Sequence, residues 1–294
     1  GFDLTSATGI ELGFDEREKA KILSETFNTD HNEFVLKAND MQNSLKKLAY
    51  HLEEPRVGQS YPNYYAAKLA SKKVKVVLSG AGGDELFAGY PWRYLKSSEN
   101  TRTLNNRNKV YNLNFDDFID KYYNYWQRLI PNSKIQCVFK PIWDEVSHVW
   151  TRNIFKSVFK NYHKVCFNNE TDLINNSLYF EAKTFLHGLL VVEDKISMSQ
   201  GLETRLPFLD NDLVEFAQKC PIKLKIKNIH NIKSLDENDL IEKASFEKDD
   251  EISGKYILKE SMFNILPKEI IQLKKQGFSS PDASWFKGES IDFV

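Results

Sequence analysis

The run SGAGGDE, from Ser79 to Glu85, is the part of this sequence whose residue types and order could do chemistry. Gly80, Gly82 and Gly83 tolerate positive φ and close backbone approach, so their N–H groups could line a concavity around an anionic oxygen. Asp84 and Glu85 follow at once. Carboxylates beside a phosphate would repel it unless a divalent cation stood between them, so the order points to a magnesium nucleotide. A plainer reading has equal weight: a glycine-rich strand-to-helix turn whose acids favour the N-terminal dipole of the next helix.

Four other groups invite a chemical reading. His31 lies beside Asp30 in a turn, where a lone histidine is expected to be structural. Tyr122, Tyr123, Tyr125 and Trp126 could stack on bases, yet no basic residues interleave them, so a core or a subunit contact is expected. Glu203, Arg205 and Asp210 sit among apolar residues; since buried charges must pair, Glu203 and Arg205 are read first as an architectural ion-pair network, with substrate contact as the minor alternative. Lys274 and Lys275, on residue type alone, read as a solvated loop.

The elements that must position these groups follow from periodicity. Val74, Val76, Val77 and Leu78 predict a short buried strand ending at Ser79. Helices are predicted over Asp15 to Phe27, Met41 to Leu52 and Tyr61 to Lys72, with a short strand at Phe34, Val35 and Leu36. Helices alternating with strands argue an α/β layer with a parallel sheet, in which ligands bind beyond the carboxyl ends of the strands. The loop from Ser79 to Glu85 lies at such an end. Further along, Leu178 to Val192 predicts a buried helix that delivers Glu193, Asp194 and Lys195 to its C-terminus, where acids oppose the dipole. Such a local conflict points to function. Asp212 to Lys219 predicts a short amphipathic helix, and Tyr256 to Leu266 a helix that positions the lysine pair. Ser97 to Asn112 is polar and aperiodic, a mobile surface segment, and Lys225 to Lys255 is a highly charged, solvated insertion.

Composition narrows the classes. With 41% hydrophobic residues over 294 positions, a sizeable core is available. The 40 basic and 41 acidic side chains make no global field for nucleic acid. Three separated cysteines without metal-ligand spacing fit free thiols, for which the cytoplasm is the expected compartment. No apolar run approaches the roughly 20 residues needed to span a bilayer. The opening GFDLTSATG has no secretory pattern and reads as a segment of a longer protein.

Three separated blocks carry a resemblance: SGAGGDELFAGY from Ser79 to Tyr90, EDKISMSQGLETRLPFLD from Glu193 to Asp210, and KKQGFSSP from Lys274 to Pro281. In order and spacing they resemble the glutamine-hydrolysing asparagine synthetases and related amide-forming enzymes of the ATP pyrophosphatase (PP-loop) fold. GFD at Gly1 and DH at Asp30 also match, so the resemblance covers most of the chain. It implies the C-terminal synthetase domain, an α/β fold of the adenine nucleotide alpha hydrolase type, with a parallel sheet flanked by helices and a mostly helical C-terminal half. Residues 1–96 would form a partial nucleotide-binding layer, and 97–294 the mainly helical remainder, with a flexible insertion at 225–253.

The resemblance also implies a reaction. ATP activates a carboxylate as an acyl-adenylate, pyrophosphate leaves, and an amine displaces AMP, with Mg2+ as the accompanying metal. Ser79 and Gly80 match nucleotide-contacting positions beside the glycines Gly82 and Gly83, and Asp84 matches an aspartate that helps hold the metal. Lys275 matches the catalytic lysine whose cation faces the tetrahedral intermediate, and Asp194 is implied as a second catalytic residue. The implied partners are aspartate, ammonia freed from glutamine by a domain outside this sequence, and a second copy of the chain. Neither nucleic acid nor a membrane is implied.

Departures set the limits of this expectation. The family's SGGxDS loop and its glutaminase domain are absent from the sequence, so the chain by itself is expected to be inactive and to bind ATP weakly. Lys195 stands where the family commonly has arginine, which keeps the charge and loses the planar fork. Ala81 stands where well-studied asparagine synthetases carry glutamate, and a methyl cannot take a proton. An amidotransferase acting on a sugar acid or other carboxylate in surface-glycan synthesis is therefore the alternative, with a non-catalytic nucleotide-binding or scaffold protein as a third reading.

Overall fold

A computed structural model of the chain describes residues 1–54, 60–94, 114–126, 130–162, 166–229, 253–273, 275, 280–290 and 292. The chain divides into two compact units, Gly1–Gly83 with Leu186–Gln218 and Ile257–Val294, and Asp84–Phe185 with Lys219–Tyr256. The expected segment at Ser97 to Asn112 and most of the charged insertion, residues 230–252, lie outside the described residues.

In the first unit, α1 (Arg17–Phe27), α2 (Asp40–Leu52) and α3 (Ser60–Ala70) form close to where periodicity predicts them. α1 and α2 each end on a left-handed residue, Asn28 at φ 50 and Glu53 at φ 61, whose N–H returns to the last turn and satisfies a carbonyl there. α2 and α3 bury Leu48, Leu52, Tyr61 and Tyr64 in a core shared with Phe2, Leu36, Ile196, Leu202 and Trp285. Removing such side chains from water is worth about 1.5–3 kcal/mol each. The parallel sheet consists, among the described residues, of β1 (Val76–Leu78) and β2 (Glu203–Arg205), and the described elements are mostly helical.

The second unit begins in the short helix α4 (Gly83–Leu86) and is built around α5 (Phe115–Trp126), α6 (Asn132–Val138), α7 (Trp143–Val146), α8 (Thr151–Ser157) and α9 (Glu170–Lys183). Asn114 accepts the Asp117 N–H at 2.9 Å and Asn169 accepts the Asp172 N–H at 3.0 Å, so short polar side chains start α5 and α9. The aromatic run is a core, as its helical spacing suggests. Phe118 and Tyr122 are fully buried, and Tyr122 packs edge-on against Phe155 and Phe180.

Several sequence expectations are corrected. β1 is not a buried strand: Val76 is 41% and Leu78 72% exposed, because no described residue covers the face they share with Glu203 and Arg205. Phe34 to Leu36 makes only an isolated bridge, Phe2 to Leu36. Leu178 to Val192 is not one buried helix. The chain breaks at Thr184 (φ −123°, ψ −65°) between α9 and α10 (Phe185–Met198), and of α10 only Leu186, Ile196 and Ser197 are buried. The helix predicted from Tyr256 to Leu266 ends at Ser261.

The ends of the charged insertion are packed, not solvated. After α11 (Asn211–Lys219) comes α12 (Ile222–Lys225), where Lys225 is 5% exposed and burial lowers its pKa. Lys227 then pairs with Ser253 in an isolated antiparallel bridge. No described helix is long and apolar enough to cross a membrane, and Cys137, Cys166 and Cys220 are free.

Candidate active site

Pairing of β1 with β2 brings the first and second sequence blocks together. Val76, Val77 and Leu78 lie opposite Glu203, Thr204 and Arg205, and the ladder continues one step when the Ser79 N–H donates to the Arg205 carbonyl at 2.9 Å. The backbone then leaves the sheet. Ser79 Oγ accepts the Ala81 N–H at 3.2 Å, and the Gly80 carbonyl accepts the Gly83 N–H at 3.3 Å. The Ala81 and Gly83 amides are therefore turned inward. The Gly80 and Gly82 N–H groups have no hydrogen-bond partner among the described residues.

Gly82 has φ +93°, and a Cβ there would lie 2.6 Å from Leu209 Cδ2. At Gly83 a Cβ would meet the Phe208 ring at 3.4 Å. The glycines thus let the loop close onto the Pro207–Leu209 turn of the second block, a packing role that the phosphate reading did not foresee.

Asp84 and Glu85 open α4, as the plainer reading expects, but each carboxylate is also engaged by a side chain. Asp84, only 19% exposed, pairs with Lys255 Nζ at 2.9 Å. Gly89 is the wall behind it: a Cβ there would sit 1.8 Å from Asp84 Oδ1 and 2.7 Å from Asp84 Cβ. The Gly89 N–H also closes the turn by donating to the Asp84 carbonyl at 2.7 Å. Lys255 was not among the residues singled out from sequence. Its only signal is Gly254, a glycine beside a helix start within a charged stretch.

The aromatics after the acids hold this turn to the second unit. Glu85 is 3% exposed and accepts from the Tyr90 hydroxyl at 3.3 Å. The Tyr90 N–H donates to the Tyr94 hydroxyl at 3.0 Å. Burial, then the Asp84 and Glu85 charges, push the Tyr90 phenol far above its ordinary value, so it stays a donor. Arg93 lies 3.9 Å from the Tyr90 ring centroid and 4.8 Å from that of Phe185, with its guanidinium 4.0 Å from the fully buried Glu181.

The remaining expected residues fall as follows. Asp194 is exposed on α10 and sits one turn before its end, and its carbonyl accepts the Ser197 hydroxyl at 3.1 Å. Lys275 is half-buried, whereas Lys274 and residues 276–279 lie outside the described residues. The third block continues into the Asp282–Lys287 helix, which is fixed by Tyr61 donating to Asp282 at 2.6 Å and by Glu11 accepting the Ala283 and Ser284 N–H groups. Glu203 and Arg205 pair at 2.9 Å but are more than half exposed. The expected buried network is therefore a surface pair, worth no more than about 1 kcal/mol. His31 Nε2 lies 3.5 Å from Glu33 Oε2.

Lys195 has a structural task as well. Its ammonium donates to the Leu52 carbonyl and to Glu53, each at 2.8 Å, and so places a cation on the C-terminus of α2. Lys195→Met is expected to lower the melting temperature by a few degrees, while Lys195→Arg keeps most of it. The hydrogen bond from Lys195 holds the Glu53 carboxyl below its ordinary value of 4.5. That contribution is therefore complete above pH 4.5 and is lost as pH falls through the depressed value, so melts of wild type and Lys195→Met should converge in acid.

Asp84 fits a cation, since a cation already stands on it. Among the described residues no group of three His, Cys, Asp or Glu side chains could enclose a metal alone. A magnesium ion would need other oxygens, as it does when nucleotide phosphates complete its shell.

The family model for asparagine synthase matches residues 4–294. Among curated proteins, Asparagine synthetase [glutamine-hydrolyzing] 1 of Bacillus subtilis is 27% identical over 99% of this chain and 44% of its own length. Asparagine synthetase [glutamine-hydrolyzing] 3 of the same organism is 24% identical over 87% of this chain and 35% of its own. Amidase chyE of Penicillium rubens is 24% identical over 75% of this chain and 34% of its own. The chain thus spans less than half the length of these relatives.

Proposed function

The chain belongs to the asparagine synthase family, and from that premise we propose that it forms one wall of a site for ATP-dependent amide formation through an acyl-adenylate. The observation that carries this reading is the β1–β2 pairing. It sets the glycine loop on Pro207–Leu209 at the carboxyl end of a parallel strand, with Asp84 next in the chain. Ligands of open parallel α/β sheets bind at such ends. A PP-loop type of nucleotide binding fits that placement.

In this reading the Gly80 and Gly82 N–H groups and the Ser79 hydroxyl face the nucleotide, and Asp84 supplies a carboxylate oxygen to magnesium. Magnesium, when bound, neutralises charge on the departing pyrophosphate. Lys275 holds its ammonium toward the oxyanion formed when the amine attacks, and Asp194 orients the acceptor end of the substrate. Aspartate is the proposed carboxylate and glutamine-derived ammonia the proposed nucleophile of the protein that contains this chain, the relatives being named as glutamine-hydrolysing asparagine synthetases.

The test is ATP–pyrophosphate exchange by the complete protein. Exchange that requires aspartate supports asparagine synthesis. Lys275→Ala is expected to keep exchange and to lose amide formation by about 100-fold, the scale of one missing transition-state donor. Unchanged amide formation would remove Lys275 from the mechanism. For the chain by itself weak binding of magnesium ATP is expected, and micromolar affinity by calorimetry would contradict it.

One observation favours a second substrate class. Ala81 offers only a methyl, so this position supplies no side-chain base for an incoming ammonium. Exchange that requires a carboxylate other than aspartate, such as a sugar acid, would establish that reading.

A further inference from the structure

Residues 253–255 form a strap laid across the turn that follows Asp84. Ser253 bridges to Lys227, and the Lys255 N–H donates to the Phe87 carbonyl at 2.9 Å. A Cβ on Gly254 would lie 2.2 Å from the Ala88 carbonyl oxygen and 3.2 Å from Gly89 Cα, so the strap approaches the turn as closely as glycine allows. Lys255 itself has φ 56°, a conformation disfavoured for a lysine. With the backbone held in this way, Lys255 Nζ lies 2.9 Å from the Asp84 carboxylate, in a setting where Asp84 is 19% and Lys255 31% exposed.

We propose that Lys255 is a positioning residue and built-in counter-ion of the Asp84 site, holding the carboxylate in place and yielding its oxygen when a divalent cation binds. The inference rests on the reading of Asp84 as the metal carboxylate. The physics is competition. A largely buried carboxylate needs a positive partner. An ammonium tethered by its own backbone meets that need without any ligand, and an ion with twice the charge outcompetes it. The same ammonium, once released, remains beside the turn as a donor for an anionic ligand oxygen. Lys255 thereby sets a threshold for cation binding and keeps Asp84 in a productive rotamer while the site is empty.

A purely structural lysine and a competing counter-ion predict opposite signs. Mn2+ binding to the complete protein in the presence of ATP, followed by water proton relaxation, separates them. Lys255→Met should bind Mn2+ about tenfold more tightly than wild type, the scale of removing one opposing charge from a carboxylate. Lys255→Arg should stay near wild type, and Lys255→Asn, whose side chain suits a positive φ, should repeat the gain if Lys255→Met fails to fold. Adding Asp84→Asn to Lys255→Met should abolish the gain. Unchanged or weaker Mn2+ binding in both folded neutral variants overturns the proposal. Wild-type Mn2+ affinity in Asp84→Asn alone overturns the metal reading of Asp84, and the inference with it.

Discussion

If Asp84 holds magnesium as proposed, Gly89→Ala should abolish the magnesium-dependent step while leaving every polar side chain of the site in the sequence. The added methyl would stand 1.8 Å from Asp84 Oδ1, 2.5 Å from its Cγ and 2.7 Å from its Cβ. Side-chain rotation relieves the first two contacts and not the third, so the turn itself must open. That would break the 2.7 Å bond from the Gly89 N–H to the Asp84 carbonyl and separate Asp84 from Lys255. We expect ATP–pyrophosphate exchange by the complete protein to fall at least about 100-fold, as a displacement of about 1 Å at a reacting centre does. Activity within a factor of about three of wild type would mean that the carboxylate is not held against Gly89 in the working enzyme.

Arg93→Ala is expected to have the largest effect on stability. Arg93 is 6% exposed, stacked on Tyr90 and Phe185, and its partner Glu181 has no exposed surface. Truncation removes a cation from beside a buried carboxylate and a planar group from between aromatic rings. Breaking such a pair from one side costs about 3–5 kcal/mol. Urea denaturation should show this as a lower midpoint with an unchanged slope. Replacing both partners, as in Arg93→Met with Glu181→Leu, should recover most of the loss, because no uncompensated charge then remains. A single variant within about 1 kcal/mol of wild type would show that other groups already neutralise Glu181.

The Tyr90, Arg93 and Glu181 arrangement also explains why the stretch after the acids is so aromatic. Tyr90 connects the Glu85 carboxylate to Arg93, and Arg93 connects it to α9. The turn that carries Asp84 is thereby anchored in a core, while the preceding loop, from Ser79 to Gly83, is anchored on Pro207–Leu209. The loop and the acids are contiguous in sequence, yet they are held by different packing.

What the sequence determined by itself is the part governed by local rules. Helical spacing placed α1, α2, α3 and α11, since a 3.6-residue repeat of apolar side chains has few other solutions. The glycines and acids marked the loop, and the three blocks marked the family. Tertiary structure decided everything that depends on which residues meet from far apart. Only the fold shows that Gly82, at φ +93°, packs on Leu209 and Gly83 against Phe208. Burial of β1 was misread because a β-branched run reports propensity, whereas burial depends on what covers the face. Glu203 and Arg205 were misread for the same reason, since apolar neighbours in sequence alternate to the other side of a strand. Lys255 was invisible within its charged stretch because its partner lies 171 positions earlier, and only the fold brings the ammonium to 2.9 Å from Asp84.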